Sequence, residues 1–433
     1  MIGDVFSNRN ILSISLSSAL FNLVGMMWRP FWPMYLKNNL GATVTIIGFL
    51  SAIMSLENML FQLPGGYLAD RYGRKKIIVI GTFLRTFSPI IYFFAPSWEW
   101  IVLATLINGT MSLYMPAFNA LVADSMPQKR RATGYGAYNT ITSLPNIVSP
   151  IIGGIVMDRY GYVEGLKTFL LLQIVVSLIV TYIRWRFVRE LSDETRTPAR
   201  RTGRPSLNLI KDYSKNLKVM LVVSILGSIS MRLVMDLGNL YALEILGLTN
   251  TQLGLITTVV GIITTLFALP SGMISDRYGR KKNIMLSRVS NPITMMLIAN
   301  TTGFNDYALV RCSNGLAMAL GGGGVAAGGP AWNALLADIV HPSKRATVMG
   351  TQSTLTSLFG FPAGIIGGWL WQNFSPQVPY YLSGIVGFIA AAVFWLGVTE
   401  PTTEEKEHAP EELEPQDGIQ EEDSTRGSTI PPS

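Results

Sequence analysis

The sequence predicts an all-α integral membrane protein of twelve transmembrane helices in two pseudo-symmetric six-helix bundles, and three observations carry that prediction. The composition is 49% hydrophobic and 14% charged, with 41 glycines, whereas soluble domains average about 25% charged residues. Twelve apolar segments can each be counted at close to the about 20 residues that cross a hydrocarbon core of about 30 Å as helix. The seven residues 70–76, Asp-Arg-Tyr-Gly-Arg-Lys-Lys, return unchanged at 276–282, 206 positions later. The chain is therefore a duplicated unit.

Six spans are expected before the central polar stretch, at 11–36, 45–68, 77–95, 98–122, 132–157 and 167–187. Six follow it, at 217–243, 252–274, 283–302, 306–337, 347–371 and 379–398. The repeat extends beyond the heptapeptide. Pro64-Gly65-Gly66 answers Pro270-Ser271-Gly272, residues 116–124 (Pro-Ala-Phe-Asn-Ala-Leu-Val-Ala-Asp) answer 330–338 (Pro-Ala-Trp-Asn-Ala-Leu-Leu-Ala-Asp), and Gly153-Gly154 answers Gly367-Gly368. A period of about 200 residues is too long for a solenoid unit. The expected domains are an N-terminal half at 1–187, a basic linker at 188–216, a C-terminal half at 217–398 and a tail at 399–433.

Lys and Arg accumulate in one of the two alternating loop sets: Arg71 and Arg74–Lys76, Lys129–Arg131, the stretch 184–218, Arg277 with Arg280–Lys282, and Lys344–Arg345. The other set offers only Lys37, Arg159 and Lys167. The positive-inside rule then places both termini and both heptapeptide loops in the cytoplasm of a multi-pass cell-membrane protein. Residues 184–218 carry ten basic against four acidic side chains, which marks a topological linker with some contact to anionic headgroups. After Val398 the balance reverses to eleven acidic residues against Lys406 and Arg426, a composition expected to be disordered. The first ten residues are polar, and the apolar run after them is too long for a signal-peptide core.

Cys312 is the single cysteine, so no intrachain disulfide is expected. The two histidines, His341 and His408, lie outside the apolar segments, which leaves carboxylates as the buried proton carriers. No metal-ligand cluster, phosphate loop or nucleophile constellation is present, so neither an enzyme nor a cofactor is expected. Nucleic acid is not an expected partner; the lipid bilayer and a small-molecule substrate are, with one chain supplying a whole cavity as a monomer.

Gly66-x-x-x-Asp70-Arg71-x-Gly73-Arg74-Lys75 and its copy Gly272-x-x-x-Asp276-Arg277-x-Gly279-Arg280-Lys281 resemble the signature loop of the major facilitator superfamily of secondary transporters. The resemblance covers residues 11–398. It implies a cytoplasmic gate in which Asp70 and Asp276 join an acid and an arginine with six residues between them at the ends of the fourth and tenth spans, here Asp124 with Arg131 and Asp338 with Arg345. The loop's physics is legible independently: Gly73 and Gly279 can take the positive φ of a short turn. In the fifth span Ser149-Pro150-x-x-Gly153-Gly154 is similar to the motif of the drug:proton antiporter branch, with serine in place of its first glycine. Paired glycines at 153–154 and 367–368 also let helices approach closely, so packing accounts for them equally well. Around Gly321–Gly324 and Gly328–Gly329 the tenth span has about eight more residues than the fourth, which suits either a local unwinding or an over-long packed helix.

Ionisable groups inside spans are costly and usually functional. Here they are Arg29, Glu57, Arg85, Arg232, Asp236 and Arg311, with Arg288 close enough to Lys282 to snorkel. The resemblance places Arg29, Arg232, Asp236 and Arg311 near the central cavity and Arg85 on a peripheral helix, as a structural residue. Arg232 and Asp236 are four apart and share a helix face, so an ion pair between them is expected; an Arg29 to Asp236 contact across the halves is an alternative outer gate. Glu57 stands near the midplane and is the first candidate to carry a proton, the expected coupling ion. The leading reading is proton-coupled efflux of small hydrophobic or aromatic compounds. A transporter of an organic anion or sugar is the alternative, and a non-transporting receptor or scramblase is the remote one.

Overall fold

The computed structural model describes residues 8–125, 131–190, 213–278, 280–321, 330–340 and 345–399. A helix stands at each of the twelve expected segments, and no strand occurs among the described residues. Nine helical stretches there are long and apolar enough to cross a membrane. The other three positions carry Arg280–Ile298, Phe304–Leu320 with Pro330–Ile339, and Arg345–Asn373. Of the expected linker and tail, residues 191–212 and 400–433 lie outside the described residues, as do 322–329 in the glycine-rich part of the tenth span.

Local sequence sets the helix ends. Asn8 accepts from the Asn10 and Ile11 N–H groups, Thr43 from that of Ile46, and Ser214 from that of Leu217; each satisfies donors that the first helical turn leaves open. Between the second span (Val44–Tyr72) and the third (Arg74–Phe94), Gly73 takes φ +91°, as the turn requires. The carboxylate of Glu190, just beyond the sixth span, accepts from the backbone N–H groups of Arg74 (3.0 Å) and Lys75 (2.8 Å). An anion at a helix N-terminus is favoured, and here it ties the signature loop to the end of its own half.

The duplication is visible in matched contacts. Asn10 donates to the Arg189 carbonyl and accepts from its N–H (3.1 and 2.7 Å); Asn216 does the same to Thr399 (3.2 and 3.1 Å). Asn22 donates to the Thr142 carbonyl at 3.0 Å, and Ser228, 206 positions later, to the Thr356 carbonyl at 2.9 Å. Gly153 lies on the backbone of Met27 in the first span, as Gly367 lies on Leu233 in the seventh. Gly154 meets Asn250 of the eighth span, and Gly368 meets Val44 of the second. The glycine pairs thus do two jobs, one within a half and one between halves.

The halves join along the second span against the eleventh and the fifth against the eighth. The backbone approaches at Gly48, Gly154, Gly254 and Gly368 lie toward the ends of these helices remote from the signature loops. A Cβ on Gly48 would overlap the Gly364 carbonyl, so these backbones meet with no side chain between them. On the same face Thr45 donates to Gln372 at 2.8 Å, Lys37 pairs with Glu244, and Asp158 accepts from the N–H groups of Asn250 (3.2 Å) and Thr251 (2.8 Å). That face is closed.

Candidate functional site

The seventh span is where the expected geometry changes. Its helix Lys215–Val234 stops before Asp236 and resumes as Leu237–Leu240, followed by a π turn at Tyr241–Ile245. Asp236 sits in that break, and it lines one small pocket with Arg232. No carboxylate of the described residues approaches Arg232 within 4.0 Å, so the expected Arg232–Asp236 pair is not formed. Asp236 instead accepts from Ser51 of the second span, across the interface between the halves, while Arg232 lies against Gly360 of the eleventh span. The Arg29 to Asp236 contact is absent too, and its place as a closing ion pair is taken by Lys37 and Glu244.

Arg29 opens a 3-10 turn, Arg29–Phe31, that Pro30 forces on the first span. Its side chain folds back along Gly25, where a Cβ would stand 3.3 Å from the guanidinium carbon, and lies 5.6 Å from the Phe21 ring. Arg85 covers the same ring at 4.3 Å, and it donates to Asn108 (3.3 Å) and the Tyr114 hydroxyl (3.4 Å). Far from being peripheral, Arg85 lines a cavity of about 150 Å³ inside the N-terminal half.

Arg184 lines that cavity as well. By sequence it falls in both the expected sixth span and the basic stretch 184–218, and it is not among the expected site residues; in the structure it is buried inside the sixth span (Tyr162–Phe187), donating to Thr82 (2.7 Å), Ser17 and Ser18 (both 3.3 Å) and lying 5.1 Å over Phe118. Its position at the edge of a charge run hid it. The missed signal is that Tyr182, Ile183 and Phe187 continue the apolar segment around it.

The C-terminal half repeats this guanidinium with the roles exchanged. Arg288 does not snorkel: it is 3% exposed, 4.6 Å over Trp332 and 5.2 Å over Phe394. Arg288 stands where Thr82 stands in the first half, Trp332 where Phe118 does, and Phe394 where Arg184 does. A buried guanidinium on an aromatic face is kept, while the helix that supplies it changes. Arg311 of the tenth span lies within electrostatic reach of Tyr307 and Tyr380.

Glu57 is 5% exposed in the second span, and its Oε1 has no hydrogen-bond partner among the described residues. It packs on Gly109, where a Cβ would come within 2.7 Å of its carboxyl carbon. Gly109 is also where the helices Trp98–Asn108 and Thr110–Asp124 of the fourth span meet. Asn108, the next residue, is the one that Arg85 holds.

Among the expected gate residues, Arg74 is buried and Arg71 exposed, its guanidinium over Tyr72 at 5.4 Å, while Arg280 is half-buried. The side chains of Asp70, Asp124, Arg131, Asp276, Arg277, Asp338 and Arg345, and the whole of Gly279, lie outside the described residues. Gly66 and Gly272 fall within the helices Val44–Tyr72 and Asn250–Tyr278.

The Major Facilitator Superfamily profile matches residues 14–249 and again 237–426. The chain belongs to the Major Facilitator Superfamily. With that family and its apolar helices it is a multi-pass membrane protein. Over 182 residues it is 26% identical to a Na(+), Li(+), K(+)/H(+) antiporter of Planococcus maritimus, a match covering 40% of this chain and 42% of that protein. Over 130 residues it is 33% identical to the quinolone resistance protein NorA of Staphylococcus aureus, covering 30% of this chain and 33% of that protein. These matches span well under half the length of either relative. A crystal structure of a variant of the nucleoside transporter NupG superposes with a TM-score of 0.73 at 17% identity, over 90% of this chain and all of that one. At that identity the likeness is one of fold.

Proposed function

We propose that this chain is a proton-coupled secondary transporter that exports small hydrophobic or aromatic compounds by alternating access, with Glu57 as the proton carrier. The observation that carries the reading is the setting of Glu57: a carboxyl buried at mid-span, with an oxygen that no donor of the described residues reaches and none of their cations within 4.0 Å. Keeping such a group charged costs several kcal/mol, about the scale at which it takes up a proton instead. The cation/H(+) antiporter among its relatives supports the coupling ion, and the quinolone resistance protein supports the direction.

The route for coupling is short. Glu57 presses on the fourth span at Gly109 and Arg85 grips it at Asn108, so a change of charge at Glu57 and a ligand at the arginines act on one helix joint. The face bearing Lys37 and Glu244 is closed. In this reading it is the outer face, the signature loops and both termini are cytoplasmic, and the acid–arginine pairs near Asp70 and Asp276 close the inner face when the outer one opens. The halves 1–187 and 217–398 rock about their contact, joined by the linker 188–216, and one chain is a complete transporter.

The test is flux in proteoliposomes with an imposed pH gradient, using ethidium and benzenesulfonate as probes because both stay ionised. Gradient-driven transport of at least one is expected in the wild type. Glu57→Gln should abolish it and retain gradient-free exchange of the same probe. Equal gradient-driven flux in Glu57→Gln would remove the role of Glu57.

A further inference from the structure

We propose that the cavity inside the N-terminal half is a binding site for a small aromatic oxyanion, with Arg85 and Arg184 as its ligands and Arg29 as a supporting charge. The proposal rests on the transport reading and adds the sign and size of what is carried. Three guanidiniums converge here from the first, third and sixth spans. Arg29 and Arg85 share the Phe21 ring, at 5.6 and 4.3 Å, and Arg184 reaches Tyr114 at 6.0 Å, the residue whose hydroxyl accepts from Arg85. Among the described residues no carboxylate lies within 4.0 Å of any of them, and no Asp or Glu lines the cavity.

Hydrogen bonds to Ser17, Ser18, Thr82, Asn108 and Tyr114 hold these groups in place. Those partners are neutral, so they orient the cations without cancelling their charge. A guanidinium carries five N–H donors in a planar fork. Arg85 spends donors on two partners and Arg184 on four, the Tyr114 hydroxyl among them, which leaves three donors on Arg85 and one on Arg184 for a ligand. An oxyanion accepting two such bonds is the partner that this fork suits best.

The rest of the wall sets the body of the ligand. Phe21, Phe118 and Tyr138 offer ring faces, and Met111 and Met115 fill between them. At about 150 Å³ the space is smaller than a drug-sized pocket of about 300 Å³ or more, so it takes roughly one ring. The second half shows that the anion site is not merely what the fold needs. There the guanidinium of Arg288 packs against Trp332 and Phe394, and no comparable cluster of three arginines is present among the described residues of that half.

The experiment is thermal unfolding of the purified protein in nanodiscs of neutral phosphatidylcholine at constant pH, titrated with benzoate, benzamide and benzylammonium. Benzoate should stabilise saturably, and its neutral and cationic counterparts should not. Arg85→Gln and Arg184→Gln should each weaken benzoate binding about tenfold or more. Stabilisation by benzamide equal to that by benzoate would overturn the proposal on the wild type alone, whether or not the variants fold. Anionic phosphatidylglycerol that stabilises as benzoate does and blocks it would assign the arginines to a lipid headgroup and overturn it too. Binding is read with no gradient. Benzoate binding without pH-driven flux therefore removes the transport reading alone, and flux without benzoate binding removes the anion site alone.

Discussion

At the residue scale the chain shows how a buried cation is kept when its position in the sequence is not. Arg184 in one half and Arg288 in the other occupy corresponding places above Phe118 and Trp332, yet one comes from the sixth span and the other from the ninth. The space fixes the chemistry, and either of two facing positions can supply it. This predicts a transplant. Arg184→Phe alone should destabilise the protein by about 1–3 kcal/mol, because it leaves the buried hydroxyls of Thr82 and Ser17 without their donor. Adding Thr82→Arg should recover most of that loss in thermal unfolding. A double variant no more stable than Arg184→Phe would show that the two halves are not interchangeable at this place.

At the element scale the decisive feature is where helices touch without side chains. Gly48 and Gly364 let the second and eleventh spans meet backbone to backbone on the closed face. Gly48→Ala should cost about 1–3 kcal/mol through overpacking and shift the population toward opening on that face. Ala52, 2% exposed and one turn along, reports it: in a Cys312→Ser background, a cysteine at 52 should react with a maleimide faster when Gly48→Ala is present. Unchanged reactivity would mean that the contact tolerates a methyl group and does not set the closed state. The glycine pairs at 153–154 and 367–368 belong to this scale too, since each packs one helix of its own half and one of the other.

At the scale of the whole molecule the closed face is held by contacts of unequal worth. Lys37 and Glu244 are each about a third exposed, and such pairs contribute roughly 0–1 kcal/mol. Asp158 caps the eighth helix through two backbone N–H groups, a contact of about 0.5–2 kcal/mol. Asp158→Ala should therefore raise labelling of the residue-52 cysteine more than Lys37→Ala does. The reverse order would make the ion pair, not the helix cap, the principal latch. Both predictions concern a balance between states: a device that closes one face biases transport only through the difference it makes between the two conformations.

The sequence by itself determined the membrane class, the twelve helices, the duplication and the family, because these rest on hydrophobic length and on residues repeated in register, both local properties of the chain. It also picked out Glu57, since a lone carboxyl in an apolar segment is conspicuous wherever the segment lies. Only the tertiary structure decided which charges meet. The i, i+4 rule for Arg232 and Asp236 presupposes an unbroken helix, and the seventh span breaks between them. Arg184 stands by composition at the head of a basic run and by packing in the interior of its half. Arg29, Arg85 and Arg184 are separated by 56 and 99 positions, and no periodicity links them. Their convergence follows from how the first, third and sixth spans pack around Phe21 and Tyr114, a relation between helices that no single segment encodes.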